Sequence, residues 1–416
     1  MTETSAGTTP RPLEGVNVLE LCHYIAGPYC SQILGDQGAS VIKVEPPSGE
    51  RTRRSLPTTD DGESLYFASY NRNKRSVALD LTAADSRPAL DELLKWADVI
   101  VTNFSAGVPS RLGFGWEHVH AINPRAIMVL ITGFGTHSAL SNYVALDGIV
   151  TAMSGIASMT GSADGPPYIG NVLLADHVTA VQAALAATTA LHLRTKTGEG
   201  TFVEVSMLRS LAALLGDHVP SAATLGRNPS RTGNRSTMRF GNTYRTSDGY
   251  VIISPLTPVM WRDFCVEIGH PEWGAEDVVT ERRHVHDDRF RREIEAATEA
   301  WTSVRTGQEA LERLQSLGIP TGRVKSVREL YEEDDALDLR LFEKVTLSRG
   351  GEATVLGRVF DWDGQERYAG RNVIPVIGEH SAEVLGELGL PAEQVARMQS
   401  SGIVASNPSA VATEPG

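Results

Sequence analysis

Asp176 is the residue whose type and setting most suggest chemistry. It falls between an apolar run, IGNVLLA (169–175), and a long alanine-rich stretch. An aspartate at such a junction reads first as a helix N-cap, its carboxylate accepting backbone amides that lack intrahelical partners. It also reads as a carboxylate nucleophile, held where the helix dipole would keep it ionised. Small residues Ala180, Ala183, Ala184, Ala186 and Ala187 would let that helix pack closely and fix the carboxylate.

Other candidate groups carry weaker signals. Gly133-Phe134-Gly135 follows an apolar strand and could approach a phosphate, but no GxGxxG opens a helix there, and alone it reads as a turn. Arg51, Arg53 and Arg54 sit just past a strand end, where α/β folds place ligands. From composition alone they read as a solvated loop, as do Lys74 and Arg75. His118 and His120, like His284 and His286, are two apart and lack the i, i+4 spacing of a helical metal site. No GxSxG elbow is present, so Ser-His-Asp catalysis has no support.

These groups need a scaffold, and the chain is long enough to build one. Its 416 residues suggest two or three domains with no need of disulfide or metal staples. The net charge of −13 argues against a nucleic-acid or anionic-membrane surface, although a local basic patch could hold a phosphorylated ligand. Three scattered cysteines, Cys22, Cys30 and Cys265, suit a reducing cytosol. The first residues carry no secretory pattern, and no stretch reaches the length of a membrane span. The reading is a cytoplasmic protein with tails at 1–11 and 403–416.

Strand and helix patterns alternate over the first half. Strands are read at 15–21, 39–45, 76–81, 97–104, 126–132 and 201–207, with helices at 29–37, 83–96, 116–122 and 176–193. Such β-α-β alternation implies an α/β fold with a mostly parallel sheet. The 226–241 stretch, with Arg227, Arg231, Arg235 and Arg239 among Gly, Asn and Ser, reads as a flexible loop. A hairpin at 242–255 and amphipathic helices through Leu317 then suggest a smaller α+β domain. Short β runs at 353–360 and a helix at 381–388 close the chain.

Ordered sequence blocks run along nearly the whole chain. They begin with PLEGVNVLELCHYIAGPYCSQILGDQGASVIKVEPPSGERTR (12–53) and continue through YNRNKRSVALDL (70–81), ADVIVTNFSAG (97–107), RLGFGWEHVHAINPRAI (111–127) and ITGFG (131–135). MTGSADGPP (159–167), the Asp176 helix, RTKTGEGTFVEVSM (194–207), LGIPTGRV (317–324) and IGEHSAEVLGELGL (377–390) complete the series. Together these blocks resemble the class III (CaiB/BaiF type) CoA-transferases, the family of the formyl-CoA:oxalate and carnitine CoA-transferases.

The resemblance implies an interlocked-ring homodimer with a Rossmann-like large domain from both chain ends. Its parts would be 12–225 and 326–402, with a small domain at 226–325. It places the catalytic aspartate on Asp176 and CoA contacts on Ile25, Leu79, Asn103, Phe104 and Arg111. Arg53 matches an arginine of the family and would meet a CoA phosphate. Gly133 and Gly135 would offer oxyanion amides, and Asp147 would stand by the acyl pocket. The activity implied is transfer of CoA from an acyl-CoA to a small carboxylic acid through aspartyl anhydride and aspartyl-CoA intermediates. No cofactor beyond the CoA thioester, which is a substrate, would be required, and no metal, nucleic acid or membrane.

Departures bear on substrate choice. Ile25, Pro46, Thr82 and Ala145 stand where formyl-CoA transferase carries Gln, Arg, Lys and Lys, so a formyl/oxalate pair is not implied. Thr136-His137-Ser138-Ala139 replaces the usual Gly-Pro, and Ala106 replaces a proline. The α-methylacyl-CoA racemases share the fold but carry His before the aspartate at 147, where this chain has Leu146. That difference favours the transferase, with racemase and non-catalytic CoA binder as the alternatives. His137 or His177 would be the substitute bases of a racemase.

Overall fold

Every second residue of the first strands faces the opposite side of one sheet, and both sides are apolar. Val18, Val99, Val101, Ile127 and Val129 enter one buried cluster, while Leu19, Leu21, Ile100 and Met128 enter another. Strands buried on both faces must be sandwiched between helices, which accounts for their near-continuous hydrophobic sequences. The structure, a computed structural model, describes residues 10–334, 337–360, 362 and 372–405.

In chain order the elements begin β1 (Asn17–Leu21), α1 (Ala26–Asp36), β2 (Ser40–Glu45), α2 (Leu65–Asn71), β3 (Arg75–Leu79), α3 (Arg87–Trp96) and β4 (Val99–Thr102). Next come α4 (Val108–Leu112), α5 (Trp116–Ile122), β5 (Ile127–Thr132), α6 (Asp147–Met153), α7 (Ile156–Met159), α8 (Leu174–Thr197), β6 (Phe202–Ser206) and α9 (Met207–Ala212). After α10 (His218–Leu225) come β7 (Asn242–Arg245), β8 (Tyr250–Ile253), α11 (Pro258–Glu267), α12 (Glu276–Thr280), α13 (Arg283–His286), α14 (Asp288–Ser303), α15 (Gly307–Ser316), β9 (Thr321–Arg323) and α16 (Val327–Asp334). The chain closes with β10 (Phe342–Thr346), β11 (Glu352–Leu356), α17 (Ser381–Glu387), α18 (Ala392–Ser400) and β12 (Val404–Ala405).

The described residues form two units. One holds the chain to 155, 170–216 and 338 onward; the other holds 156–169 and 217–337. These bounds differ from the 226–325 expected for a small domain, and local bonds explain why. Arg231 donates to the Ser162 and Gly165 carbonyls, drawing 156–169 in, while Arg323 and Lys325 pair with Glu329 and Glu333 of α16. Arg235 pairs with Glu295, so the stretch read as a flexible loop is tied at two arginines. The second unit has its own core of Phe240, Tyr244, Trp261 and Phe264 beside a three-stranded sheet, β7-β8-β9.

The large sheet has the order β12-β3-β2-β1-β4-β5-β6, with β1 to β6 parallel. This is the 3-2-1-4-5-6 order of the Rossmann arrangement, so the expected α/β fold with a parallel sheet is present. The strand that completes it lies where a tail was expected. Val404 and Ala405 pair antiparallel with Leu79 and Ala78, so order continues past 403. The readings on 1–9 and 406–416 lie outside the described residues.

The alanines of α8 do what their size allows. Ala180, Ala183, Ala184, Ala187 and Ala190 are buried, and α8 packs along α1. Charge is buried too. Glu20 of β1 accepts from Lys43 at 2.7 Å and Lys74 at 2.6 Å, and all three are almost inaccessible to solvent. The sequence placed Lys74 in a solvated loop; instead it ends in this network, held also by the Pro28 carbonyl and Asn71. Burial alone would raise the Glu20 carboxyl, but the two ammonium groups outweigh it and hold it below its usual value.

Candidate active site

In a sheet of this order, the connections leaving β1 and β4 run to opposite sides, and the gap opens beyond their carboxyl ends. A cleft of about 400 Å³ lies there. His23 and Tyr24 follow β1, Asn103 and Phe104 follow β4, and Gly133 to Thr136 follow β5. Tyr66 of α2, Asp147 of α6 and Asp176 of α8 complete the walls used below.

Asp176 is three residues past Leu173, which stands at the N-cap of α8 and makes no side-chain capping bond. The N-cap reading of Asp176 is therefore corrected. The aspartate lies inside the first turn, and a different side chain does the capping. Asp147 Oδ2 accepts the Asp176 backbone amide at 3.1 Å, satisfying an amide the helix leaves open. The carboxyl of Asp176 meets the backbone amide of Ala26, at the head of α1.

The expected ionisation is corrected as well. Burial and the neighbouring Asp147 charge push the Asp176 carboxyl up to about 7, against the Ala26 amide, which lowers it. The dipole of α8 does not dominate because two larger effects oppose it. Near neutrality the group is divided between acid and carboxylate. As a carboxylate it is more basic than an ordinary aspartate and so a better nucleophile.

The sequence reading missed four rings as site groups: Tyr66 and Tyr70 lie beside this carboxyl, and His23 and Tyr24 line the same cleft. Burial, with Asp176 and Tyr70 beside it, raises the Tyr66 phenol. Burial and Asp176 push the Tyr70 phenol up to about 12. Burial, with Lys43 and Arg51 near, pushes His23 down to about 4, leaving a neutral imidazole on the cleft wall. Tyr24 has φ of 64°, an unusual backbone for a bulky residue, at the turn carrying the chain from β1 to α1. The only sequence signal was the HY preceding the Gly-Pro turn.

The other expected residues fall in distinct places. Asn103 and Phe104 line the cleft, and Asn103 holds His23 by exchanging hydrogen bonds with its backbone at 2.7 and 3.0 Å. Ile25 and Leu79 have buried side chains, so only their backbones can face a ligand. Arg111 is exposed at the end of α4. Gly133 must be glycine, since a Cβ would lie 2.1 Å from that of Ala145. Gly135, at φ 90°, spends its amide on Thr132 Oγ1 at 3.1 Å, so it is not a free oxyanion donor as expected. Asp147 reaches the cleft and Asp176 together.

Arg53 does not present a free cation. Its guanidinium grips Glu45 through two 2.7 Å bonds, donates to the Pro375 carbonyl at 3.0 Å, and lies 3.9 Å from the centre of the Phe67 ring. The phosphate contact expected of it would have to compete with a buried carboxylate. His137 is exposed and outside the cleft lining, and His177 is turned away into hydrogen bonds. Among the described residues, no group of three or more His, Cys, Asp or Glu is placed to hold a metal ion.

Known proteins place the same architecture in one class. The profile of CoA-transferase family III matches residues 13–381. The chain is 30% identical over 409 residues to the succinyl-CoA–D-citramalate CoA-transferase of Chloroflexus aurantiacus, covering 96% of this chain and all of that one. It is 32% identical to a formyl-CoA:oxalate CoA-transferase of Streptomyces coelicolor, covering 95% of this chain and all of that one. A CaiB/BaiF family protein from Brucella suis has a similar structure, with TM-score 0.81 and 28% identity over 91% of this chain and all of that one. The chain belongs to CoA-transferase family III and is an enzyme of that class.

Proposed function

We propose that the chain moves CoA from an acyl-CoA to a free carboxylic acid, with Asp176 as the nucleophile. The observation that carries this reading is a buried, basic carboxyl at the switch point of a Rossmann-ordered sheet. Ionised Asp176 attacks the thioester carbonyl and the carbon–sulfur bond breaks, giving an aspartyl anhydride and CoA thiolate. The thiolate attacks the aspartyl carbonyl and releases the donor acid as its carboxylate, leaving aspartyl-CoA. The acceptor carboxylate attacks that thioester and expels the thiolate, forming a second anhydride. The thiolate then takes the acceptor acyl group and frees Asp176. Acyl activation is kept at every step, so no redox or metal chemistry is called for.

The relatives named for citramalate and oxalate support a small carboxylic acid as acceptor. Asn103 and Phe104, with Arg111 and the backbones of Ile25 and Leu79, are the assigned CoA contacts. Gly133 is assigned to the developing oxyanion and Asp147 to the acyl pocket.

A homodimer is part of the proposal. Ile149 and Met153 of α6 and Val181, Leu185 and Leu193 of α8 are exposed on helices packed against each other. Apolar faces of this kind mark protein contacts. Light scattering on the purified chain reads the mass directly. A cytoplasmic location belongs to the same reading; among the described residues, no helix is long and apolar enough to cross a membrane.

The deciding experiment incubates the protein in D2O with several acyl-CoAs and a pool of free acids, followed by mass spectrometry of CoA thioesters. New acyl-CoAs that vanish with Asp176→Ala support the transferase. Deuterium at the α-carbon of an unchanged 2-methylacyl-CoA would instead make the protein a racemase. Binding without turnover would make it a CoA-binding protein.

A further inference from the structure

Behind the cleft wall, two rings that do not line it are joined by a hydrogen bond. Tyr70 Oη lies 3.0 Å from His177 Nε2, and His177 Nδ1 lies 2.7 Å from the Leu173 carbonyl oxygen. A carbonyl only accepts, so Nδ1 carries the proton. In the neutral ring Nε2 is then the acceptor, and Tyr70 donates to it. Tyr29 of α1 closes the group edge-on, 5.7 Å from the Tyr70 ring and 5.5 Å from that of His177.

The bond spans 107 residues of sequence and ends beside the nucleophile. His177 follows Asp176, and its backbone amide and ring Nδ1 both donate to Leu173, the residue at the N-cap of α8. The first turn of α8 thus lacks a capping side chain of its own and is held from outside. Asp147 takes its Asp176 amide, and Tyr70 takes its His177 ring. Tyr70 sits on α2, the helix that also carries Tyr66 into the cleft.

We propose that Tyr70 and His177 form a positioning pair that locks the first turn of α8 to α2, fixing the direction from which the Asp176 carboxylate attacks. Neither ring touches substrate. Asp147 restrains the backbone amide of Asp176, and the Ala26 amide meets its carboxyl, but neither holds the ring face of the turn. The Tyr70–His177 bond, one residue further along, adds a side-chain tether from α2. A nucleophile must meet a carbonyl carbon at close range and a narrow angle, and an error of about 1 Å can cost up to about 100-fold in rate. The assignment rests on Asp176 being the nucleophile of the transfer reaction.

The test compares Tyr70→Phe, His177→Leu, their double variant and His177→Gln, whose amide oxygen can accept where Nε2 does. Melting temperatures first establish that each variant is folded. Each disruptive single variant is expected to lower kcat about tenfold with KM within about twofold, because the pair acts on attack and not on binding. The double variant should be no slower than the slower single, since both remove one bond. His177→Gln should recover most of the rate. Equal losses in kcat and KM, additive losses, or a wild-type kcat in Tyr70→Phe would each overturn the proposal.

Hydrogen–deuterium exchange of the 173–178 segment reads the lock without reference to the reaction. It should quicken about tenfold in Tyr70→Phe and His177→Leu and stay near wild type in His177→Gln. Unchanged exchange in the disruptive variants would also overturn the proposal. A wild-type protein that transfers no CoA would remove the role of Asp176, while the exchange data would still decide whether the tether exists.

Discussion

Asp147 and Asp176 are joined through a backbone amide, with the side chain of the first bonded to the main chain of the second at 3.1 Å. The arrangement has two opposed effects. A negative group at the start of α8 stabilises the helix, because the amides there carry partial positive charge. The same charge lies close enough to the Asp176 carboxyl to disfavour its ionisation. One residue thus steadies the helix and keeps its neighbour basic.

Asp147→Asn separates these effects, since an amide oxygen still accepts the Asp176 amide but carries no charge. The Asp176 carboxyl should fall from about 7 toward its ordinary value. The acid limb of kcat/KM should move down by about one pH unit, near 1.4 kcal/mol of differential interaction. A pH–rate profile of the variant checks this. Asp147→Ala should also lose about 1 kcal/mol of capping, seen as a lower melting temperature.

A carboxyl raised by folding makes stability depend on pH in a definite direction. Between the ordinary aspartate value of 3.8 and about 7, the unfolded chain has released the Asp176 proton while the folded chain still holds it. Stability from this group is therefore complete below the lower value and declines until pH passes about 7. Asp176→Asn cannot ionise, so its advantage in melting temperature over wild type should widen from pH 5 to pH 8. Paired calorimetric scans at the two pH values test it. The variant should also lose nearly all transfer, the usual opposition between stability and a strained site.

The parallel sheet was legible because its strands are buried on both faces, and a run such as Ile127–Thr132 has no other place to go. The helix at Trp116–Ile122 was read with the bounds found. Asp176 was legible too, because a lone carboxylate between an apolar run and an alanine helix is conspicuous. Its surroundings were not. Tyr66 and Tyr70 meet it, and His23 shares its cleft, only through tertiary packing, which leaves no local pattern. Lys74 and Arg53 read as solvated because nothing nearby in sequence says that Glu20 and Glu45 wait inside the sheet. Asp176 was misread as a cap because its partner, Asp147, is 29 residues away.

Glu20 shows how dependent such buried charges are on each other. Lys43 and Lys74 both rest on it, with both ammonium groups out of water. Glu20→Gln leaves Lys74 with only neutral hydrogen-bond partners and Lys43 with Glu50 as its remaining carboxylate, and should cost roughly 3–5 kcal/mol, the range for breaking a buried ion pair. Urea denaturation at neutral pH measures the change. Lys74→Met, which keeps the Glu20–Lys43 pair and fills similar space, should be milder.

Arg53 and Arg111 should part company when each is replaced. Arg53 is occupied by Glu45, whose carboxyl it helps to hold below its usual value against burial. Arg53→Ala would leave that buried carboxylate without its paired cation, held only by Ser76 and the Glu50 amide, so the expected effect is a stability loss of roughly 3–5 kcal/mol. KM for the acyl-CoA in the folded fraction should stay within about twofold, because the lost interaction is internal. Arg111 is exposed and free to meet a phosphate, so Arg111→Ala should leave the melting temperature nearly unchanged. Its KM should rise about tenfold, the equivalent of roughly 1.4 kcal/mol of binding. Thermal melts and steady-state kinetics on the two variants decide between the roles. A large KM effect in Arg53→Ala without loss of stability would return that arginine to the ligand.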